Sequence, residues 1–521
     1  MPQRAPKSTA AVALPMICLH LLIATPLAYV LNIWSDEGST LHTTQFGFLR
    51  ALQNAATDER QAPLYFWIMS LWRTINGSIF FARVFSIICC VSAIWLFARL
   101  VRRFLDQRPA LLATAFFSLH PILIWASAEI RVYSLVILMS VGILNVFLDA
   151  FFLENGEVRS RRNVRIVFLV LAIIGLYTNY YLGFLLAGCF AALLTARKWR
   201  TSRDYFLLMS LAGLAFLPQI LTVRSQFIVN TATFKEDSSI IDNLRRLWSH
   251  MLTFILPADI VRQTETPPAS IVRLWMVRAG VVIAGIFAFL RRDRLSGLTL
   301  GFGAVAATII LGLLAAYFLV GSWLVALRHA SVLFAPLIIF LTSFINDIFG
   351  QKDDKRSLIG RLAVPATSLL VLAFFCYAVV THYPHLAKPG DWARVGAYIE
   401  RNEAPDQPII IFHTYDAMSL PYHYHGVNRI FPDERFLDFD FGNSFDDPDH
   451  GKTRTDFTIS KIPKDAGEIW LVVNDECRTA GKCEYLENYV ETNYNVVTEK
   501  EFYLQKVSLL RKKSHDNTQV R

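Results

Sequence analysis

Residues 79–98 read Ile79-Phe80-Phe81-Ala82-Arg83-Val84-Phe85-Ser86-Ile87-Ile88-Cys89-Cys90-Val91-Ser92-Ala93-Ile94-Trp95-Leu96-Phe97-Ala98, and the chain then turns basic at Arg99, Arg102, Arg103 and Arg108. A nearly uncharged run of this length matches the roughly 20 helical residues that cross a bilayer core. Arginines directly after it mark a cytoplasmic end under the positive-inside rule. The pattern recurs at about 11–32, 109–126, 132–153, 164–178, 180–196, 205–223, 271–290, 297–320, 326–345 and 362–380, giving about eleven spans. With 521 residues, 54% of them hydrophobic and 13% aromatic, and a mean hydropathy of +0.38, the chain is too apolar for a soluble globular protein. It reads as a polytopic α-helical membrane protein.

The net charge of +9 is informative by location. Further basic clusters fall at Arg159, Arg161, Arg162 and Arg165; at Arg197, Lys198, Arg200 and Arg203; at Arg291, Arg292 and Arg294; and at Lys352, Lys355, Arg356 and Arg361. Every second loop then carries one, and Arg4 and Lys7 place the amino terminus on the same, cytoplasmic side. The first apolar run reads as a retained signal anchor. The loops at 33–78 and 224–270, the turns near Glu129 and Tyr181, and the tail after about 381 fall on the opposite, exoplasmic face. The division is a membrane module at 1–381 and a soluble exoplasmic domain at 382–521.

Within the first exoplasmic loop, Gln61 to Trp72 predicts an interfacial or re-entrant helix, and residues 240–256 predict a second interfacial one. In the tail, Pro408 to Phe412 and Glu468 to Val473 predict buried strands, and Asp391 to Arg401 a helix before the first of them. A small α/β domain follows. The acidic stretch Asp433 to Asp449 reads as a solvated loop. Cys477 and Cys483, the only cysteines of the tail, are a disulfide candidate in an oxidising compartment. The other cysteines lie in apolar runs and read as packing residues.

The chemistry-bearing residues collect on the exoplasmic side. Asp36 and Glu37 follow the first span in Ile33-Trp34-Ser35-Asp36-Glu37-Gly38. Two carboxylates at a bilayer surface suit acid/base work, whereas acids inside a span suit an ion pathway. They also suit the first turn of a helix, where acids are favoured. Glu129-Ile130-Arg131-Val132-Tyr133 lies at the exoplasmic ends of two spans, where an arginine can grip a phosphate with two parallel donors or simply pair with its glutamate. Tyr65, in Pro63-Leu64-Tyr65, and Arg83 belong to the same face. So do Tyr177, Asn179, Tyr180 and Tyr181, and Arg328 with His329. Arg262 and Arg273 are weaker candidates. His120, before Pro121, reads as structural. No phosphate-cradling glycine loop, dinucleotide fingerprint or convincing metal spacing occurs, and His423 and His425 are alternate residues of a strand or loop. A cofactor is not called for; a divalent metal is compatible but not indicated.

These motifs together resemble the GT-C superfamily of integral membrane glycosyltransferases, chiefly families 39 and 83: protein O-mannosyltransferases, the lipid A aminoarabinose transferase and the RgtA/B/C/D-like lipopolysaccharide-core galacturonosyltransferases. The resemblance rests on Trp34-Ser35-Asp36-Glu37, Ala62-Pro63-Leu64-Tyr65 with Arg83, Ala128-Glu129-Ile130-Arg131-Val132-Tyr133-Ser134, the late Arg328, and the tail from Asp391-Trp392. Two departures are Arg328-His329 in place of Arg-Tyr and a single Pro63 in place of a proline pair. The resemblance implies a GT-C fold with about 11 to 13 transmembrane helices. It implies a polyprenyl-phosphate sugar donor, and a lipid, glycan or protein acceptor in the cell envelope. Asp36 would take the acceptor proton in an inverting displacement, with Glu37 sharing or orienting. Arg131, Arg328 and Arg83 would bind donor phosphate, and Tyr65, Glu129, Tyr133, Tyr181 and His329 would contact substrate. A bacterial inner membrane with the site facing the periplasm is the expected setting, and no nucleic acid is expected as a partner. The competing class is a transporter or flippase of a lipid-linked or anionic substrate. The chain shows no inverted repeat of the kind common in transporters.

Overall fold

The structure, a computed structural model, describes residues 8–152, 158–234, 292–320, 328–349, 358–388, 390–412, 418–432, 450–474 and 483–513, with isolated positions between 241 and 290. Most of 240–256 and 271–290, together with Arg262, Arg273, the Asp433 to Asp449 stretch and Cys477, lie outside the described residues. The chain divides into two compact units. One comprises Met1–Tyr29 and Phe46–His382, the other Val30–Gln45 and Tyr383–Arg521.

The first unit is helical. Among the described residues six helices are long and apolar enough to cross a membrane: Ala10–Val30 (α1), Ile79–Val101, Tyr133–Phe152, Trp199–Val229, Gly297–Leu319 and Ser331–Ile348. Gln107–Leu119 and Pro121–Ser127, bent by 52°, make a seventh when taken as one broken span. The runs at 164–178, 180–196 and 362–380 coincide with helices Val158–Thr178, Leu182–Thr195 and Leu358–His382. Leu182–Thr195 has only 14 residues. The segment expected to be interfacial forms the helix Leu64–Arg73, and a further helix, Phe48–Thr57, precedes it; at 10 residues each, both are too short to cross a bilayer.

The break at residue 120 has a local cause. The ring of Pro121 disfavours a helical conformation at the residue before it, and His120 is extended at φ −61° and ψ 130°. Its ring accepts from the Ile122 N–H at 3.2 Å, capping the new helix. A broken helix also strands carbonyls, which in lipid must find donors. His20 of α1 supplies one, with Nδ1 2.7 Å from Ser118 O and Nε2 2.8 Å from Ser127 Oγ. His120 is therefore the structural residue the Pro121 context predicts. Close approach of Leu182–Thr195 to Gly297–Val320 depends on Gly188, where a Cβ would lie 2.9 Å from the Val305 backbone. Small residues let membrane helices pack this tightly. Some of the arginines read as topology signals are ion-paired, Arg103 with Asp149 at 2.5 Å and Arg165 with Asp204 at 3.1 Å.

The second unit holds a five-stranded sheet in the order β2-β1-β3-β5-β4. Its strands are β1 (Ile409–Phe412), β2 (Ile430–Phe431), β3 (Glu468–Asn474), β4 (Tyr494–Phe502) and β5 (Gln505–Lys512). β1 runs parallel to β2 and β3, and β5 is antiparallel to β3 and β4. Both predicted strands are present as β1 and β3. They are continuously apolar because both faces are covered. Ile409, Ile411, Trp470 and Val472 pack against Trp392, Val395 and Ile399 of helix Trp392–Asn402, the helix predicted there. Ile410, Phe412, Ile469 and Leu471 pack on the other face with Leu486, Tyr494 and Cys483. Cys483 is disulfide-bonded.

Candidate active site

Asp36 and Glu37 occupy the first turn of helix Ser35–Thr44 (α2). The helix starts at Trp34, whose extended backbone (φ −120°, ψ 174°) ends the preceding segment and whose side chain makes no cap hydrogen bond. The acids are thus inside the helix, where its N-terminal partial charge favours carboxylates by about 0.3–1 kcal/mol. The composition of α2, Ser-Asp-Glu-Gly-Ser-Thr-Leu-His-Thr-Thr, suits a solvated helix. Yet Ser35, Asp36, Glu37, Gly38, Thr40, Thr43 and Thr44 are all buried. Burying that many polar groups is costly unless each is satisfied, and natural folds break this pattern mainly at functional sites.

The groups that hold α2 come from the carboxyl-terminal part of the same unit. Lys388 Nζ lies 2.6 Å from Glu37 Oε2, with side chains 2% and 0% exposed. The Lys388 backbone N–H donates to Asn32 Oδ1 at 2.8 Å, and Asn32 Nδ2 donates to Gly390 O at 2.6 Å. The Ile33 N–H donates to His423 Nε2 at 3.1 Å, so that nitrogen carries no proton in this arrangement. Gly38 leaves room for Met418, whose carbonyl oxygen would lie 3.0 Å from a Cβ there. Next to Gly390, Asp391 pairs with Arg394 at 2.9 Å. Burial pushes the Asp391 carboxyl above its usual range, opposed by Arg394.

The remaining candidates belong to the helical unit. Arg131 pairs with Glu59 at 2.8 Å, with side chains 6% and 3% exposed. Glu59 lies in the loop before Leu64–Arg73, a partner that sequence proximity did not suggest. Glu129 is buried, and its backbone carbonyl accepts from Ser86 Oγ at 2.6 Å. Arg83 is wholly buried and donates to Ala28 O at 2.9 Å, in the last turn of α1, where a cation meets the negative end of the helix. Tyr65 is buried against Phe66 and Phe85, with centroids at 5.4 and 6.2 Å. Tyr133 stacks on Trp125 at 5.0 Å. Tyr181 and His329 come together, rings 6.4 Å apart, and Arg328 is half-buried beside His329. Tyr177 and Tyr180 have structural partners, Ala215 O at 3.0 Å and Gln219 at 3.1 Å. Gln226 Nε2 donates to Ala56 O at 3.0 Å and lies 3.4 Å from Gln61 O, spanning the turn that carries Glu59.

Lys388, Asn32 and Glu59 were not singled out from the sequence, and His423 was read there only as a strand or loop residue. Lys388 sits three residues before Asp391, the start of a noticed motif, and Glu59 three before Ala62, the start of another. That nearness was the only signal. Among the described residues no group of three or more His, Cys, Asp or Glu side chains is arranged to hold a metal ion.

The class these features define is a membrane-spanning helical protein with a small sheet domain and buried acid and arginine sites. Residues 60–221, under a third of the chain, match the family described as dolichyl-phosphate-mannose-protein mannosyltransferase. No curated protein matches the chain in sequence. Among solved structures it is similar to ArnT from Cupriavidus metallidurans bound to undecaprenyl phosphate. The identity is 14% and the TM-score 0.47, covering 96% of this chain and 98% of that one. It is also similar to the Archaeoglobus fulgidus oligosaccharyltransferase tethered to an acceptor peptide, at 11% identity and a TM-score of 0.45, covering 94% and 73%.

Proposed function

We propose that the protein is a membrane glycosyltransferase. It moves a sugar from a polyprenyl-phosphate donor to a lipid, glycan or protein acceptor at the exoplasmic face. The observation that carries this reading is the burial of a polar helix, α2, with two adjacent carboxylates in its first turn. The match of residues 60–221 to a mannosyltransferase family supports it.

In this reaction the acceptor hydroxyl oxygen attacks the anomeric carbon as the bond from that carbon to the phosphate oxygen breaks. The configuration inverts in the single displacement. Asp36 takes the hydroxyl proton, and the donor leaves as polyprenyl phosphate, a monoester with one more negative charge than the diester. That charge calls for pre-placed cations, the part assigned to Arg131 and Arg328. Arg83, bonded to Ala28 O, fits better as an anchor of α1. Tyr65, Glu129, Tyr133, Tyr181 and His329 are assigned to substrate contact. The scheme requires no metal, because arginines carry the charge. A bacterial inner membrane with the site facing the periplasm fits the basic-loop pattern and the bonded Cys483.

The test is transfer from radiolabelled polyprenyl-phosphate sugars by the purified protein to a panel of acceptors, with Asp36→Asn and Glu37→Gln beside the parent. Label transfer that depends on Asp36 supports the reading. Transfer undiminished in both variants refutes the assignment of the base. No transfer from any donor, with donor flipping in proteoliposomes, shifts the reading to a flippase.

A further inference from the structure

In the helical unit the span Tyr133–Phe152 finishes in a π-helical turn, Leu148–Phe152, a widened geometry frequent at functional sites. Basic side chains from the ends of three other helices converge on that turn. Arg103, just beyond Ile79–Val101, lies 2.5 Å from Asp149, and Arg99 lies 4.0 Å from the same carboxylate. Arg165 of Val158–Thr178 donates to Ala150 O at 3.4 Å and holds its guanidinium 5.2 Å from the Phe151 ring centroid. Lys198, at the start of Trp199–Phe234, donates to Phe152 O at 2.8 Å. Arg165 also reaches Asp204 at 3.1 Å, and Arg203 adds a second arginine to that acid at 3.7 Å.

The positive-inside rule requires only that such residues stay on one side of the membrane and asks nothing of their geometry. Here they form one connected cluster, and part of their charge has a structural use. Arg103 neutralises Asp149, while Arg165 and Lys198 satisfy carbonyls at the negative end of a helix. Arg99 and Arg203 differ from these. Each approaches a carboxylate that a closer arginine already holds, and their side chains are 56% and 76% exposed. Neighbouring sequence does not cancel the surplus: residues 99–108, 149–165 and 197–204 hold twelve Lys and Arg against five Asp and Glu. Cations crowded in this way repel one another, and a further anion among them lowers that cost.

The chemistry of the surroundings selects the anion. A phosphodiester offers oxygens that guanidinium forks match, and the ends of apolar spans lie at headgroup depth, where lipid phosphate is the abundant anion. Ile166 and Val167 beside Arg165, and Phe206 and Leu207 close after Arg203, are exposed apolar side chains. They suit acyl chains and would be of no use to a soluble phosphate. We infer that this cluster is a binding site for anionic phospholipid headgroups, with Arg99 and Arg203 as its exposed contacts on a frame set by Arg103, Arg165 and Lys198. No residue assigned to glycosyl transfer takes part, so the inference is independent of that reading.

The experiment adds phosphatidylglycerol or phosphatidylcholine to the full-length protein in neutral detergent, reading bound lipid by native mass spectrometry and the thermal midpoint beside it. The parent is expected to prefer phosphatidylglycerol and to gain midpoint with it. Arg99→Gln/Arg203→Gln is expected to weaken phosphatidylglycerol binding about thirtyfold, about fivefold for each arginine, and to leave phosphatidylcholine binding unchanged. Lys352→Gln/Lys355→Gln removes the same charge from another basic loop and is expected to bind as the parent does. Equal losses in the two double variants, or a parent that binds both lipids alike, overturn the inference. Inorganic phosphate alone is expected to leave the midpoint of the lipid-free protein in place. A gain equal to that from the lipid would make soluble phosphate the ligand and overturn the inference as well. If Arg99→Gln/Arg203→Gln does not fold, Arg203→Gln decides: a loss of about fivefold supports the site, and parental affinity overturns it.

Discussion

Among the described residues, a buried ion pair in each unit involves a residue the sequence had singled out, and the two are built in opposite ways. In the carboxyl-terminal unit the candidate is an acid, Glu37, and the fold brings it a lysine 351 residues away. In the helical unit the candidate is a cation, Arg131, and the fold brings it an acid, Glu59, 72 residues away. A bare charge in a poorly solvated site costs several kcal/mol, so candidate charges arrive with counter-charges already in place. The consequences differ. Glu37 has a partner that fixes it and suits a structural part beside Asp36. Arg131 has a partner of the same sign as phosphate, so donor binding there means sharing or exchanging Glu59.

The comparison breaks first at Asp36. If Asp36 is the base, Asp36→Asn lowers kcat by about 10²–10⁴-fold while the thermal midpoint of the purified protein stays near the parent's. A variant that loses midpoint and rate together would return both acids to an architectural role. The next effect is on stability. Removing one member of a buried pair costs about 3–5 kcal/mol, whereas replacing both by apolar groups of similar size is often neutral. Glu59→Ala is therefore expected to lower the midpoint sharply, and Glu59→Leu/Arg131→Met to recover most of it. Recovery of midpoint without recovery of transfer would separate Arg131's chemistry from its packing. A smaller loss is expected at His20→Ala. That change deprives the Ser118 carbonyl of its donor at the broken helix, for about 1–3 kcal/mol, read from the same melting curves.

The legible part of this molecule is what local pattern decides. The apolar runs, the basic clusters and the proline at 121 are each sufficient to place a helix, an end or a break, and the structure has helices over 79–101 and 133–147. β1 and β3 were legible because a strand buried on both faces is a short unbroken apolar run. Asp36 and Glu37 were legible as a pair, but their burial was not, since α2 has the composition of a solvated helix. Their partners were illegible for one physical reason. Lys388 and Glu59 carry no periodic signal, and an ion pair between distant residues is set by tertiary packing. The same reason hid the grouping of 30–45 with the carboxyl-terminal residues.

The finest test lies within the carboxyl-terminal unit, in two carboxylates whose environments push them apart. Burial raises Asp391, while Glu468 is lowered, first by its hydrogen bond from Arg511 at 2.7 Å, with Gln407 adding to the effect. A raised acid contributes stability that is complete below its unfolded value, 3.8, and is lost as pH rises through the folded one. A lowered acid contributes stability that is present above its unfolded value, 4.5, and is lost as pH falls through the folded one. The midpoint of the parent minus that of Asp391→Asn is therefore expected to shrink as pH rises from about 3.5 to 6. The same difference for Glu468→Gln is expected to grow over that range. Both slopes are small, because Arg394 and Arg511 are more than half exposed and solvent screens them. Opposite signs would establish that burial governs Asp391, next to Gly390, and hydrogen bonding governs Glu468. A growing difference for Asp391→Asn would mean that Arg394 outweighs burial there, making the surroundings of Asp391 more solvated than their packing implies.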